Sequence, residues 1–226
     1  MNREDIAFHT KILNKDQVNL LFRLKLPENY YLAGGTALAL YLGHRTSLDF
    51  DFYTPSEFGK EEIINLLKKN LKDKDIKITS IERNSFIGKI YNVNISIFYY
   101  SYELLDKTIN LRNIQIASIS DIAAMKTIAI IQRPAKRDYI DMSFLLKEYS
   151  MEEIFSWSYK KYPNFNQYLA LRALSYFGDV DNEKIEERGI KILDKSFSWG
   201  KAKRELIKKV KDYQLSMFKL DEKKNR

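Results

Sequence analysis

Two aspartates separated by one residue are the first candidates for chemistry. Asp49 and Asp51 lie in the run Leu48–Phe52, where alternating apolar and polar residues predict a β-strand with both carboxylates on one face. Adjacent negative charges repel unless a cation neutralises them, and carboxylate oxygens favour Mg²⁺ (or Mn²⁺) shared with substrate phosphates. The pattern therefore predicts a metal site, with a solvated strand face as the alternative.

A glycine turn precedes this strand. Gly34, Gly35 and Thr36 lead into a helix-forming run over residues 37–42, which Gly43 closes. The glycines would let a phosphate approach backbone amides at the helix start, and Thr36 is expected to be the N-cap. Ordinary turn chemistry is the alternative for the glycines alone. Turn and carboxylates in this order predict a metal-dependent phosphate site.

Polar residues connect this helix to the aspartate strand. Arg45 could either brace the two carboxylates or contact triphosphate oxygens, and Ser47 could hydrogen-bond the same oxygens. The sequence leaves both readings of Arg45 open. His44 is expected to be a structural or solvated residue.

Residues 118–146 form a second polar block. Ser120 is expected to begin a helix in which Lys126 lies off the apolar side, and the next helix carries Asp138 and Asp141 one turn apart. A solvated lysine and two acids favoured by the helix dipole are the alternatives.

The two blocks together resemble a known family. GGT followed by HRTSLDFDF is similar to the nucleotidyltransferase signature of the DNA polymerase beta superfamily, and in detail to the AbiEii/AbiGii toxin family, with MenT-like toxins among its relatives. The second block resembles that family's pattern of a lysine on an Asp-initiated helix followed by acids on the next helix. The resemblance implies a toxin of a bacterial toxin–antitoxin or abortive-infection system.

The resemblance also implies roles for these residues. It implies Mg²⁺ on Asp49 and Asp51, a nucleoside triphosphate as substrate, the 3′ hydroxyl of a tRNA as acceptor, and a cognate antitoxin as partner. Lys126 or Arg45 would neutralise charge in the transition state, and Asp141 or Asp138 would orient or deprotonate the acceptor. The nucleotide itself would be bound by Gly34, Gly35, Thr36, Arg45 and Ser47.

One strand departs from the superfamily pattern. Superfamily members commonly carry a third carboxylate on a neighbouring strand, and the matching run 92–98 has Asn94 and Ser96 but no acid. This favours Asp141 or Asp138 as the base, and it keeps a non-catalytic interaction protein among the alternatives. Transfer to a protein or a small molecule is the other alternative.

The order of the predicted elements indicates an α+β (α/β) fold. Strands are expected at 30–32, 48–53, 75–83 and 86–100, helices at 37–42 and 60–72, and mostly helix within 1–26 and after residue 120. We expect a polymerase-beta-like nucleotidyltransferase lobe with a mixed sheet over 1–117, including an N-terminal helix. A helical lobe over 118–226 would complete the active-site cleft.

Composition narrows the function classes. The 226 residues contain no cysteine and two histidines, which excludes thiol chemistry and a histidine-rich zinc site. No apolar run reaches membrane-spanning length, and the first residues lack a signal-peptide core, so a cytoplasmic protein is expected.

The C-terminal segment is strongly basic. Residues 199–226 carry ten Lys or Arg against four Asp or Glu, within a chain of net charge +8. Such a segment is typical of a surface that binds RNA phosphates, and a solvated amphipathic helix is the alternative. The candidate RNA-binding residues are Lys201, Lys203, Arg204, Lys208, Lys209 and Lys211.

Overall fold

The computed structural model describes residues 8–69, 71–72 and 75–224, with side chains through residue 219. These residues form two compact units. The first contains the chain up to Ile122 together with Glu186–Leu193, and the second contains Ala123–Ile185 and the chain from Asp194 onward. The functional lobes expected at 1–117 and 118–226 stay a prediction.

A mixed β-sheet is the centre of the first unit. Its strands, within the described residues, are β1 (Tyr31–Ala33), β2 (Asp49–Thr54), β3 (Ile76–Glu82), β4 (Ser85–Ile90), β5 (Val93–Tyr99), β6 (Ile109–Leu111) and β7 (Ile114–Ile116). The strand order is β3-β4-β5-β2-β1-β7-β6. The β1–β7 and β2–β5 pairs are parallel and the others antiparallel. The mixed sheet with its helices confirms the predicted α+β class.

Helices also belong to the first unit, and they build most of the second. The first unit contains α1 (Lys15–Arg23), α2 (Gly34–Leu42), α3 (Lys60–Lys68) and the 3-10 turn Thr10–Ile12. A second 3-10 turn, Ile185–Arg188, crosses the boundary, since Ile185 belongs to the second unit and the rest to the first. Next come α4 (Ile119–Gln132), α5 (Lys136–Glu148), α6 (Met151–Lys161), α7 (Gln167–Leu174) and α8 (Trp199–Lys224). The unit boundary falls within the first turn of α4. Among the described residues, no helix has both the length and the apolar character needed to cross a membrane.

Alternating burial explains the central strands. In β2, Phe50 and Phe52 are fully buried, whereas Asp49 and Asp51 lie on the opposite, more open face. Strand β5 repeats the pattern, because Val93, Ile95 and Ile97 are buried on the apolar face. In β2 and β5, one face thus belongs to the core, and the other carries Asp49, Asp51, Asn94 and Ser96.

Several predicted boundaries were wrong for local reasons. The run 86–100 is two strands, because Tyr91 and Asn92 take left-handed backbone angles and make a turn. The helix predicted over 60–72 ends at Lys68, and the three-residue strands β6 and β7 are too short to give a periodic signal. The stretch 175–198 is mostly irregular rather than helical. In the N-terminal prediction, residues 1–7 lie outside the described residues.

Candidate active site

The two candidate metal ligands occupy adjacent positions on the open face of β2. Asp49 is exposed and Asp51 half-buried. On the parallel neighbour β5, Asn94 lies in register with Asp49 and Ser96 with Asp51. The Asn94 side-chain amide donates a 2.8 Å hydrogen bond to Asp49 Oδ1. The two neutral residues thus occupy the positions that the sequence assigned to a third acid.

The glycine turn passes close to the second carboxylate. Gly34 has a left-handed φ of 70°, and a Cβ added there would lie 3.4 Å from Asp51 Oδ2. Ala33 pairs with Asp51 across β1 and β2, and α2 starts at once after it. The first backbone N–H groups of α2 therefore lie beside the carboxylates. They form the N-terminal end of the helix, which is the end that binds anions.

Thr36 is not the N-cap that the sequence predicted. Helix α2 begins at Gly34 with Ala33 as its N-cap, so Thr36 lies inside the first turn and is buried. Its hydroxyl hydrogen-bonds to Ser47 Oγ at 2.8 Å and also donates to the carbonyl oxygen of Asp49. Thr36 and Ser47 therefore attach the glycine turn to β2. Gly43 does close α2, with the predicted left-handed conformation.

Arg45 is a buried brace of the glycine turn. Its side chain is fully buried, and a Cβ added to Gly35 would lie 2.6 Å from Arg45 Nη2. Arg45 Nη1 also donates a 3.0 Å hydrogen bond to the carbonyl oxygen of Thr46. These contacts are with the glycine turn and its neighbouring loop, whereas the sequence had offered bracing of the two carboxylates or contact with a triphosphate, and both of those readings stay predictions.

A distant segment, which sequence reasoning missed, holds the loop that carries Arg45 and Ser47. Within Glu186–Leu193, Ile192 forms a β-bridge with Arg45, and the backbone N–H of Thr46 donates to Lys191 O at 2.9 Å. From the other side, the buried Gln17 Nε2 donates to Ser47 O at 2.7 Å. No local sequence pattern predicts either contact, because both join residues that are far apart in the chain.

The residues present fit a magnesium ion that shares its ligands with substrate. The described residues contain no group of three His, Cys, Asp or Glu side chains placed to hold a metal. Mg²⁺ commonly takes only one or two protein carboxylates and completes its shell with water and phosphate oxygens. Two carboxylates on an open strand face, next to the oxygen atoms of Asn94 and Ser96, match that chemistry.

Lys126 joins both acids of α5 within the second unit. Lys126 Nζ lies 2.6 Å from Asp138 Oδ1 and 2.7 Å from Asp141 Oδ2, and all three side chains are buried. The alternative of a solvated lysine is thus wrong. Asp138 does lie in the first turn of α5, but both acids are buried partners of Lys126. Asp138 Oδ2 is buried and has no hydrogen-bond partner in the part of the chain that the structure describes.

The start of α4 differs from the prediction. Ser118, not Ser120, accepts the backbone N–H of Asp121, at 3.1 Å, and Ser118 Oγ donates to the Asp121 carboxylate at 2.6 Å. Ser120 already lies within the helix. The buried Asp121 in turn accepts the backbone N–H of Leu105 at 3.0 Å and thereby anchors the loop 100–108.

The candidate RNA-binding residues of α8 divide into two groups. The buried side of the helix contains Ala202, Leu206 and Val210 and packs in the second unit, against α5, α6 and α7. Lys203 is not a free surface cation, since its Nζ bonds both carboxylate oxygens of Asp181 at 2.7 and 2.9 Å. Exposed side chains make up the other group, namely Lys201, Arg204, Lys208, Lys209 and Lys211.

The family match and the fold define a class, a nucleotidyltransferase with the polymerase-beta-like fold. The chain belongs to the nucleotidyl transferase AbiEii toxin family of type IV toxin–antitoxin systems, whose sequence model matches residues 19–210. Membership confirms the resemblance seen in the sequence. It also implies a nucleotide substrate and a cognate antitoxin.

Individual relatives agree with this placement. An uncharacterized protein of Aquifex aeolicus is 34% identical over 184 residues, which cover 77% of this chain and 88% of that protein. JHP933 from Helicobacter pylori has a similar structure, with a TM-score of 0.57, 21% identity and coverage of 96% and 95% of the two chains. MenT4, a nucleotidyltransferase toxin from Mycobacterium tuberculosis, matches with a TM-score of 0.54 at 14% identity, over 87% of this chain and 82% of its own. At these identities the two structures bear on the fold.

Proposed function

We propose that the protein transfers a nucleoside monophosphate from a nucleoside triphosphate to an RNA hydroxyl, with the 3′ end of a tRNA as acceptor and Mg²⁺ as cofactor. The observation that carries this proposal is the pair Asp49 and Asp51 on the open face of β2, with the start of α2 beside it. Cation ligands and an anion-binding helix end are what a metal-bound triphosphate requires.

Each feature of the first unit has a part in the proposed reaction. Asp49 and Asp51 would hold the metal, which supplies charge neutralisation at the phosphates. The backbone amides at Gly34 and Gly35 would bind the outer phosphates. Thr36, Ser47 and Arg45 are buried and would act as positioning residues, since they fix the turn rather than touch the substrate.

The bond changes of the transfer are those of an in-line displacement. The acceptor hydroxyl oxygen attacks the α-phosphorus, the bond from that phosphorus to the bridging oxygen of the β-phosphate breaks, and pyrophosphate leaves. The hydroxyl proton needs an acceptor. The family resemblance implies Asp141 or Asp138 for this role, and we keep that assignment in the proposal; both carboxylates are buried beside Lys126, so they would act only once they are exposed to the acceptor.

Lys126 is included in the proposal as the cation that controls these acids. Its ammonium group contacts one oxygen of each carboxylate, and this contact stabilises the negative charges of the buried Asp138 and Asp141 side chains. A lysine so placed can also stabilise charge in the transition state.

An RNA acceptor is supported by the exposed cations of α8. Lys208, Lys209 and Lys211 lie on the outer side of a helix whose inner side is packed, so they are free to meet a phosphate backbone. Nucleoside triphosphates and tRNA share the cytoplasm, which is where the proposed reaction would take place.

Labelled nucleotides identify the acceptor. Purified protein is incubated with each α-labelled nucleoside triphosphate, Mg²⁺ and total RNA, and the products are separated into RNA, protein and small molecules. We expect label in tRNA-sized RNA, and its loss when the RNA is first oxidised with periodate, which destroys the 3′ terminal diol. Label in protein, or label that survives periodate oxidation, would reject the proposed acceptor.

A further inference from the structure

An aromatic cluster continues the open face of the sheet beyond the carboxylates. Tyr53 packs edge-on against Tyr100, with ring centroids 5.3 Å apart, and Tyr100 packs against Tyr102 at 5.2 Å. Phe98 lies 6.1 Å from Tyr53. On the neighbouring strand β1, Tyr31 stacks on Tyr53 at 6.2 Å with an interplanar angle of 26°. Five rings thus form one connected cluster, in which Tyr31 is buried and Tyr102 is exposed.

The strand period places this cluster next to the metal ligands. Asp49, Asp51 and Tyr53 alternate with the buried Phe50 and Phe52, so all three lie on the open face of β2. Two residues along a strand separate Asp51 from Tyr53 by about 7 Å. The aromatic surface therefore begins within the length of one nucleoside from the carboxylates.

The order of groups along the sheet matches the order of groups in a nucleotide. Tyr31 is opposite Tyr53 and Ala33 is opposite Asp51, and the chain then enters the glycine turn at Gly34. The aromatic rings, the carboxylate and the turn thus follow one another in that sequence. A nucleoside triphosphate likewise presents its base, its α-phosphate and its outer phosphates in a line.

We propose that Tyr100 and Tyr102 stack against the base of the nucleoside triphosphate, while Asp49 and Asp51 act on its phosphates. This rests on the proposed function of the carboxylate site. Every nucleobase has an aromatic face, so such stacking increases affinity for all four nucleotides rather than selecting one by hydrogen bonds.

The exposed ring belongs to an anchored segment. Within the cluster, Tyr102 is 41% exposed, whereas Tyr31 is 2% exposed. At one end the Tyr100 N–H donates to Thr54 O at 2.8 Å, and further on the Leu105 N–H donates to the buried Asp121. A surface fixed before binding loses little conformational entropy when a base stacks on it.

Tyr102→Ala and Tyr102→Phe separate stacking from other roles of the side chain. The affinity of each variant is measured for a nucleoside triphosphate and for inorganic tripolyphosphate, both with Mg²⁺. Tripolyphosphate has no base. We expect Tyr102→Ala to weaken nucleoside triphosphate binding by about 5- to 150-fold, with tripolyphosphate binding unchanged. Tyr102→Phe keeps the ring and should stay close to wild type.

The control is Tyr168→Ala, which removes a tyrosine that is 68% exposed on α7 and should change neither affinity. The proposal is overturned if Tyr102→Ala and Tyr100→Ala both bind the nucleoside triphosphate like wild type. It is also overturned if they raise only the KM for RNA, because the base on the rings would then belong to the acceptor. If the wild-type protein binds neither the nucleoside triphosphate nor tripolyphosphate in the presence of Mg²⁺, the result rejects the proposed function of the carboxylate site itself.

Discussion

Asn94 donates its side-chain amide to Asp49 across two parallel strands that pair them in exact register, at 2.8 Å. The bond places a neutral residue where a third carboxylate would face the same open surface. The two carboxylates of Asp49 and Asp51 therefore contribute a local charge of −2 without a third acid. Asn94 holds the Asp49 carboxylate in a fixed orientation. The arrangement suits a metal whose remaining ligands come from water and substrate.

The carboxylate pair gives the first prediction. Asp49→Asn and Asp51→Asn should each lower nucleotide transfer by more than about 10²-fold, since a metal supplies several kcal/mol of charge stabilisation. The midpoint temperature of thermal unfolding should be unchanged or slightly higher, because one of two mutually repelling charges is removed. Asp179→Asn, at an exposed acid outside the site, is the matched control. Wild-type transfer by both site variants would refute the metal assignment.

Asn94→Asp tests the register directly. A third carboxylate beside Asp49 should lower the thermal midpoint without divalent cation, because like charges repel at close range. Mg²⁺ should then raise that midpoint more than it does in wild type. Asn110→Asp, on an exposed position of β6, makes the same change in net charge away from the site. Equal responses to Mg²⁺ in both variants would contradict the proposed geometry.

Gly35→Ala probes the contact with Arg45. An added Cβ would lie 2.6 Å from the buried Nη2, so the guanidinium must move, at a cost of about 1–3 kcal/mol. Gly200→Ala is the control, since its nearest neighbour would be Arg204 Nη1 at 3.6 Å and alanine favours a helix. That control should gain up to about 1 kcal/mol. Chemical denaturation measures both, and a neutral Gly35→Ala would disprove the bracing role.

The Lys126 cluster predicts a stability effect and a separate catalytic effect. Lys126→Met leaves two buried carboxylates without their cation and should cost about 3–5 kcal/mol of unfolding free energy. Adding Asp138→Asn and Asp141→Asn should restore much of that loss. Lys147→Ala, which breaks an exposed 3.3 Å pair with Asp194, should cost at most about 1 kcal/mol.

The restored triple variant then isolates catalysis from folding. If these residues serve transfer, its activity should be at least about 10²-fold below wild type although it is folded. Near-normal kinetics in that variant would assign the cluster to stability alone.

The basic helix predicts the salt dependence of RNA binding. A five-site glutamine variant should bind RNA more weakly, and each lost phosphate contact should lower the log–log salt slope by about 0.7–0.9. The replaced residues are Lys201, Arg204, Lys208, Lys209 and Lys211. Lys203 is left intact, since it holds Asp181.

A control of equal charge change lies in the first unit. It replaces five exposed lysines with glutamine, namely Lys69, Lys72, Lys77, Lys89 and Lys107. Nucleotide binding should survive in both variants, and equal salt slopes in the two would show that α8 has no special part in RNA binding.

The sequence by itself determined the parts of the site that are local in the chain. Alternation put Asp49 and Asp51 on one face of a strand, and the glycines marked the turn before α2, because strand and turn preferences depend on neighbouring residues. The same alternation would have placed Tyr53 on the carboxylate face. The two blocks were also enough to indicate the family.

Tertiary structure alone decided the contacts between residues far apart. Arg45 is a buried brace because Glu186–Leu193 returns to pair with its loop, and Lys126 is a buried cation because α5 brings two acids to it. Thr36 is not a cap because α2 follows β1 without a gap, and the hydroxyl then meets Ser47. Burial and long-range pairing depend on how the elements pack against one another. The hydrophobic periodicity and the composition of a single segment therefore cannot predict them.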